Sequence, residues 1–114
     1  MKKSKLLLSL IFILAAISFT SANAQSNKNL VVLVKYKTQP GKDSTALVAL
    51  KNLVAKVKKE PNYVTIIIHV DPSDKSNILI YEQWSNEDYY KGDHMKTPHL
   101  QQFMTAARSF LAGP

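Results

Sequence analysis

The sequence predicts an α+β domain in which an antiparallel sheet carries helices on one face. Three observations support this class: three segments rich in β-branched residues, longer segments whose apolar residues recur every three or four positions, and turn residues between them. The segments follow the order β-α-β-β-α. The split β-α-β-β-α-β arrangement is the common completion of this order, so we expect a ferredoxin-like fold that lacks its last strand.

The first half predicts a strand and a long helix. The run "LVVLVKYK", residues 30–37, is rich in β-branched residues, and "TQPGK" after it indicates a turn. Residues 43–60 then adopt a helical period, with Asp43 or Ser44 expected to cap the helix and Pro61 marking its end. The apolar stripe consists of Leu47, Leu50, Leu53, Val54 and Val57.

The next two segments predict a pair of strands. "YVTIIIHV", residues 63–70, and "ILIYEQW", residues 78–84, are joined by a polar loop of seven residues. Strict alternation would place Tyr63 and His69 on one face of the first of these strands. The second strand closes on Trp84.

The last segment predicts a helix in two pieces. Ser85 or Asn86 is expected to cap a short helix that starts at Glu87. Thr97 is expected to cap a second helix, with Pro98 at the first helical position, where its missing N–H costs nothing. The apolar stripe of that helix consists of Leu100, Phe103, Met104, Ala107, Phe110 and Leu111.

The N-terminus has the pattern of a secretory signal peptide. Three lysines among the first five residues precede an apolar run at 6–17, and Ala22 and Ala24 occupy the positions that a signal peptidase reads. The run is shorter than the about 20 residues that a membrane span needs. We therefore expect a signal peptide, residues 1–24, cleaved after Ala24, and one domain, residues 25–114, that is periplasmic or secreted without a stable membrane anchor.

Composition narrows the classes of partner. The chain contains no Cys, so a small exported domain cannot be stabilised by disulfides. An apolar sheet face without covering helices would also be exposed in a monomer, and a homodimer is therefore expected. The net charge of +7 includes three signal-peptide lysines, and Arg108 is the only Arg, so nucleic acid is not an expected partner.

Several motifs together resemble the antibiotic biosynthesis monooxygenase family. They are "PGK" after the first strand, "EPNYV" before the second, and "YEQW" followed by "H", "TPH" and "F", and the resemblance extends over residues 30–111. It implies a dimeric α+β barrel whose ligands lie in an apolar cleft between sheet and helices. Members include cofactor-free oxygenases of polycyclic phenols, quinol oxygenases, haem-degrading enzymes and proteins that process signalling molecules.

The resemblance implies roles for five residues. Trp84 and Tyr90 match aromatic residues that line the cleft of the phenol-oxidising members. Ile80 stands where those members have an Asn that orients a substrate carbonyl. His94 and His99 match His positions that are common in the quinol-oxygenase-like and signal-processing members. The expected catalytic residues are therefore His94, His99 and Tyr90.

Haem degradation is disfavoured by the same comparison. Val34, Asp93 and Phe103 stand where the haem-degrading members have an Asn, a Trp and a ligating His. The sequence contains no phosphate-binding loop, so it does not indicate a nucleotide cofactor. The spacing of Asp93, His94 and His99 does not suit a metal site on a helix. We therefore expect no metal and no cofactor.

The remaining residues suit direct oxidation of an electron-rich aromatic molecule by O2. A phenol or hydroquinone reduces O2 once it is deprotonated, which needs a base such as His94 or His99 and a dry aromatic slot. Residues that could form the slot are Tyr81, Trp84, Tyr89, Tyr90, Phe103 and Met104.

Each of these residues also has a structural interpretation. Trp84 could belong to the core, His94 could bond a backbone carbonyl, and His99 could lie on a solvated face. Glu82 lies on an apolar strand face, where burial would raise its pKa and make it a base or a substrate contact. Alternatively, Glu82 pairs with a lysine of the first strand, Lys35 or Lys37.

Two functions remain open from the sequence. The first is a cofactor-independent monooxygenase that acts on a small quinol-like or phenolic aromatic molecule with O2. The alternative is a non-catalytic exported dimer that binds a small apolar ligand. Oxygen uptake with hydroquinones distinguishes the two.

Overall fold

A computed structural model describes residues 28–113 of the chain. The signal-peptide prediction for residues 1–24 lies outside this part. The described residues form a three-stranded antiparallel sheet in the order β1-β3-β2, with helices on one face. The strands are β1 (Leu30–Lys37), β2 (Tyr63–Val70) and β3 (Asn77–Trp84). The helices are α1 (Asp43–Val57), α2 (Glu87–Lys91), a 3-10 turn (Asp93–Lys96) and α3 (Pro98–Ala107).

The predicted α+β class and the order of elements are confirmed. β3 lies in the middle of the sheet and pairs antiparallel with both neighbours, Leu30 of β1 lying opposite Trp84. Alternate residues of β3 therefore face the helices and form the floor of the core. The buried apolar residues are Ala46, Leu50, Val57, Ile66, Ile78, Ile80, Trp84, Phe103, Ala107 and Phe110.

A β-bulge changes the start of β2. The register shifts between Tyr63 and Thr65, so that Tyr63 lies opposite Trp84. The two rings meet edge to face with centroids 6.5 Å apart. Strict alternation predicts Tyr63 and His69 on the same face of the strand. That prediction is wrong, because the extra residue at the bulge turns Tyr63 toward the core.

Helix α1 is shorter than predicted. It ends at Val57, and the chain continues as a turn in which the amide of Glu60 donates to the carbonyl of Val57 at 2.9 Å. Neither Asp43 nor Ser44 caps the helix, because Lys42 occupies the N-cap and makes no side-chain bond there. The early end is important for the site, since it directs Glu60 away from the lysine-rich face of the helix.

The two C-terminal helices begin where they were predicted, at Glu87 and Pro98. The side chain of Asn86 caps α2 by accepting the amide of Tyr89 at 2.9 Å. Thr97 occupies the N-cap of α3, but its hydroxyl donates to the carbonyl of His94 at 2.8 Å instead of accepting from the helix. This bond closes the 3-10 turn that carries His94.

The expected absence of a fourth strand holds within residues 28–113. Where that strand would begin, Leu111 forms only an isolated bridge with Thr38. The amide side chain of Gln39 donates to the carbonyls of Arg108 and Leu111, at 3.1 and 2.9 Å. The segment 108–111 is thus bonded to the end of β1 without extending the sheet.

The sheet face opposite the helices is open in this single chain. Leu33, Tyr81 and Ile67 form a row across the three strands on that face. Leu33 and Ile67 are 61% and 47% exposed, and Val31 beside them is 51% exposed. In the described part of the chain, no helix is both long and apolar enough to cross a membrane.

Candidate active site

A cleft of about 1250 Å³ lies between the sheet and the helices α1 and α3. Its size is adequate for an aromatic ligand of two or three rings. Most of the lining is apolar, because it comes from the inward faces of β1 and β3 and from the stripes of the two helices. The apolar residues include Val34, Leu53, Val54, Ile80, Leu100, Phe103 and Met104.

Three polar side chains lie together among the lining residues. Glu82 comes from the floor of the cleft on β3, Tyr90 from α2 and His94 from the 3-10 turn. We call this group the polar end of the cleft. His94 is 4% exposed, so its imidazole is almost completely removed from solvent.

Trp84 supports the polar end from behind. It is 0% exposed and does not line the cleft. Its ring lies 4.5 Å from the His94 ring and 5.5 Å from the Tyr90 ring, centroid to centroid. The rings of Tyr90 and His94 stack at 5.2 Å with an interplanar angle of 18°. Trp84 therefore positions two lining residues, and its large buried surface holds this end of the domain together.

Glu60 is a candidate site residue that the sequence analysis did not select. Its carboxylate accepts hydrogen bonds from Nδ1 of His94 at 2.9 Å, from Nε2 of His99 at 2.8 Å and from the hydroxyl of Tyr89 at 2.9 Å. The side chain of Glu60 is only 5% exposed. A buried carboxylate with three donors is satisfied without a Lys or Arg partner.

The Glu60 bond determines which nitrogen of His94 can react. Because Nδ1 donates its proton to the carboxylate, a neutral His94 keeps the lone pair on Nε2. Within residues 28–113, Nε2 makes no hydrogen bond. The pair has the geometry of a general base that a carboxylate orients.

Opposing effects determine the pKa of Glu60. Burial alone would raise it, but the hydrogen bonds from His99, His94 and Tyr89 outweigh burial, and the pKa lies below its usual value. The same contact raises the pKa of Tyr89 to about 12, through burial first and then through its bond to Glu60. Glu60 is therefore ionised and Tyr89 is a neutral donor at neutral pH.

Glu82 behaves differently from Glu60. Burial raises its pKa, and the hydrogen bond that Trp84 Nε1 donates to Oε2 at 3.2 Å only partly opposes this. The alternative that Glu82 pairs with a lysine of the first strand is wrong. The Nζ of Lys37 bonds Asp74 at 2.9 Å, and Lys35 belongs to the alternating set of β1 residues that faces away from the helices.

Tyr90 is a neutral phenol at the polar end. Burial, with the nearby Glu82 and Tyr36, raises its pKa to about 12. Burial and Glu82 likewise raise the pKa of Tyr36, which lines the cleft from β1. Both tyrosines are therefore neutral near neutral pH, so the Tyr90 hydroxyl can donate a hydrogen bond to a ligand and its ring can stack on one.

The other sequence-predicted residues are divided between the cleft and its surroundings. Ile80, Phe103 and Met104 line the cleft, as a ligand-binding role requires. His99 does not line it and instead bonds Glu60 from α3. Tyr81 faces the open side of the sheet, where its hydroxyl accepts from the side chain of Gln83.

The sequence contained one indication of Glu60. It is the first residue of "EPNYV", one of the motifs that carried the family resemblance, and it is an acid beside lysines that are exposed. No periodic pattern predicts a side chain in the turn after a helix, so its inward direction emerges only from the fold. No group of three or more potential ligands in the described residues is arranged to hold a metal ion.

Fold and site together define a small α+β domain with an apolar ligand cleft and a carboxylate-held imidazole at its polar end. The chain belongs to the antibiotic biosynthesis monooxygenase family, whose model matches residues 29–106. No curated protein sequence matches the chain significantly.

Solved structures have the same fold at low sequence identity. A Pseudomonas aeruginosa protein is 21% identical with a TM-score of 0.70, and the match covers 78% of this chain and 90% of that one. A Nitrosomonas europaea protein, provisionally assigned to the antibiotic biosynthesis monooxygenases, is 17% identical with a TM-score of 0.72, covering 79% and 86%. A Bacteroides thetaiotaomicron protein described as a candidate oxidoreductase is 21% identical with a TM-score of 0.68, covering 75% and 90%.

Replacing Glu60 by Gln should destabilise the protein. The amide cannot accept all three hydrogen bonds as a carboxylate does, and losing a charged acceptor costs about 1.5–3 kcal/mol of unfolding free energy near neutral pH. Urea unfolding of Glu60→Gln and wild type measures this. The control is Glu87→Gln, the same change at an exposed site that pairs only with Lys91.

The difference should depend on pH with a definite sign. Because the folded pKa of Glu60 lies below its ordinary value of 4.5, its stabilisation is complete above that pH and is lost as pH falls through the folded pKa. The gap between wild type and Glu60→Gln should therefore narrow in acid. A gap that stays constant down to the acid unfolding limit would contradict this assignment of Glu60.

Proposed function

We propose that the protein is a cofactor-independent monooxygenase of a small quinol-like or phenolic aromatic molecule. The observation that supports this function best is His94, an imidazole at the cleft whose Nδ1 is bonded to the buried Glu60 carboxylate at 2.9 Å. This arrangement leaves Nε2 as a base beside a space that suits a flat ring.

The reaction balances without a cofactor because the substrate supplies all the electrons. A hydroquinone and O2 give a hydroxyquinone and water, with one oxygen atom entering the ring and the other leaving as water. His94 Nε2 takes a proton from a ring hydroxyl, and the resulting anion reduces O2. Glu60 stabilises the imidazolium that forms, and the proton later leaves with the water.

The other residues serve binding and protection. Tyr90 stacks on His94 and offers an aromatic wall for the ring of the substrate. Ile80 and Phe103 exclude water, so that the radical or peroxide intermediate is not quenched before it collapses to product. Glu60, His99 and Tyr89 act through His94 as positioning residues.

Replacing His94 by Gln should lower the rate of oxygen uptake with hydroquinones by at least about a hundredfold, the usual contribution of a general base. An oxygen electrode with a panel of benzene and naphthalene hydroquinones measures the rate. The matched control is His69→Gln, because His69 is exposed on the open sheet face. Loss of the base should lower kcat at saturating substrate, whereas a purely structural role would lower the amount of folded protein.

Two outcomes of this experiment would contradict the proposal. If His94→Gln and wild type took up oxygen at the same rate, His94 would not be the base. If wild type took up no oxygen with any hydroquinone, the protein would instead be a non-catalytic module that binds a small apolar ligand in the same cleft.

We also propose that the protein works as a homodimer that covers the open sheet face. Leu33 and Ile67 leave an apolar surface that a second copy would bury. Leu33→Lys should give a monomer under conditions where wild type has the mass of a dimer by light scattering. Val48→Lys is the control, since Val48 is equally exposed but lies on α1. Equal masses for Leu33→Lys and wild type would rule out this interface.

The N-terminal pattern supports a proposal of export. The full chain produced in a Gram-negative host should be recovered from the periplasm with Gln25 as its first residue, because cleavage is expected after Ala24. N-terminal sequencing of the fractionated protein determines this. Ala22→Lys removes a residue that the signal peptidase recognises and should leave the precursor uncleaved. An uncleaved wild-type chain in the cytosol would refute the proposal.

A further inference from the structure

We propose that Glu82 makes the cleft selective for the reduced, hydroxyl-bearing form of its aromatic ligand and against the oxidised quinone form. This inference rests on the proposed function, because it assigns the ligand class of the same site. The selecting group is the carboxylate of Glu82, which binds a ligand hydroxyl as a hydrogen-bond acceptor.

The first argument is the position of Glu82. It lies on the middle strand, where its neighbours across the sheet are Val32 on β1 and Ile66 on β2, so it is surrounded by apolar side chains in the plane of the sheet. Its side chain lines the cleft. A carboxylate at the centre of an apolar floor is costly to keep, and such groups occur mainly at functional sites.

The second argument is the incomplete set of hydrogen bonds. Trp84 Nε1 donates to Oε2 at 3.2 Å. In the described part of the chain, Oε1 has no hydrogen-bond donor and Glu82 has no ion pair. Oε1 of Glu82 retains solvent-accessible surface, so a ligand in the cleft can reach it. The carboxylate therefore has an acceptor oxygen available to a ligand.

The third argument is the character of the groups around Glu82. His94 offers the lone pair of Nε2, and Glu82 offers Oε1, so the two groups with unused capacity are both acceptors. Tyr36 and Tyr90 are the nearby hydroxyls, and each can rotate to accept or donate. A hydroquinone presents two donors to these acceptors. A quinone of the same shape presents only carbonyl oxygens, which would face the carboxylate oxygen and be repelled.

The preference has a consequence for turnover. The substrate is bound through the protons of its two hydroxyls, and the reaction converts both of those hydroxyls into carbonyls. The product then meets unpaired acceptors and is released. Glu82 is a specificity residue on this view, while His94 remains the base.

The test is anaerobic calorimetry with three naphthalenes of one shape. The measurement is made at about pH 8, well above the ordinary pKa of a carboxyl group. There 1,4-dihydroxynaphthalene should bind wild type at least about tenfold more tightly than 1,4-naphthoquinone or 1,4-dimethoxynaphthalene, the value of one charged hydrogen bond. In Glu82→Gln the preference over the quinone should vanish, because the amide donates to a carbonyl. Glu87→Gln, the same change at an exposed site, should keep it.

Three results would overturn the inference. The first is that wild type does not bind the dihydroxynaphthalene, and the second is that wild type binds the diol and the quinone equally. The third is that a folded Glu82→Gln variant keeps the preference for the diol over the quinone. If that variant does not fold, the comparison of the diol with its dimethyl ether in wild type decides, since only the diol can donate to Oε1. Oxygen uptake separates the two proposals: a protein that prefers the diol but takes up no oxygen fails as an oxygenase and still supports the role of Glu82.

Discussion

The buried carboxylate of Glu60 is the interaction on which the site depends. It connects four pieces of the chain: the turn after α1, Tyr89 on α2, His94 on the 3-10 turn and His99 on α3. None of α2, the 3-10 turn and α3 exceeds ten residues. Helices this short are marginal on their own, so their mutual placement depends on such shared contacts and on packing against Trp84.

The two buried glutamates of this site differ in their donors. Glu60 has three hydrogen-bond donors and a lowered pKa, whereas Glu82 has one and a raised pKa. Burial acts on both in the same direction, so the number of donors decides the outcome. Glu60 therefore holds the His94 imidazole in place, whereas Glu82, among residues 28–113, keeps one carboxylate oxygen without a hydrogen-bond donor.

Most of the fold follows from the sequence, because periodicity and turn residues identify each element. β1 and β2 were predicted with their observed bounds, and Pro98 and Asn86 marked the two C-terminal helices correctly. The errors lie where local pattern competes with tertiary packing. The bulge that turns Tyr63 inward gives no signal in the alternation of β2. The long helix ends at Val57, the last residue of its apolar stripe, and does not continue to Pro61.

The candidate site was less predictable for a physical reason. Its aromatic and imidazole residues stand within one short stretch and could be selected by type. The side chain that bonds three of them is Glu60, 34 residues before His94, and only the packing of the turn against α2 and α3 brings it there. The direction of Trp84, into the core behind His94 and Tyr90, likewise depends on which face of β3 the helices cover.

The attachment of α3 at both of its ends constrains how molecules exchange with the interior. His99 ties its first turn to Glu60, while Gln39 grips the carbonyls of Arg108 and Leu111 just beyond its last turn. Hydrogen bonds at both ends of α3 oppose an outward rotation of this helix. Met104 of α3 lines the cleft and is about half exposed, so we expect ligands to enter beside this flexible side chain, with the breadth of the ligand limiting entry more than its length.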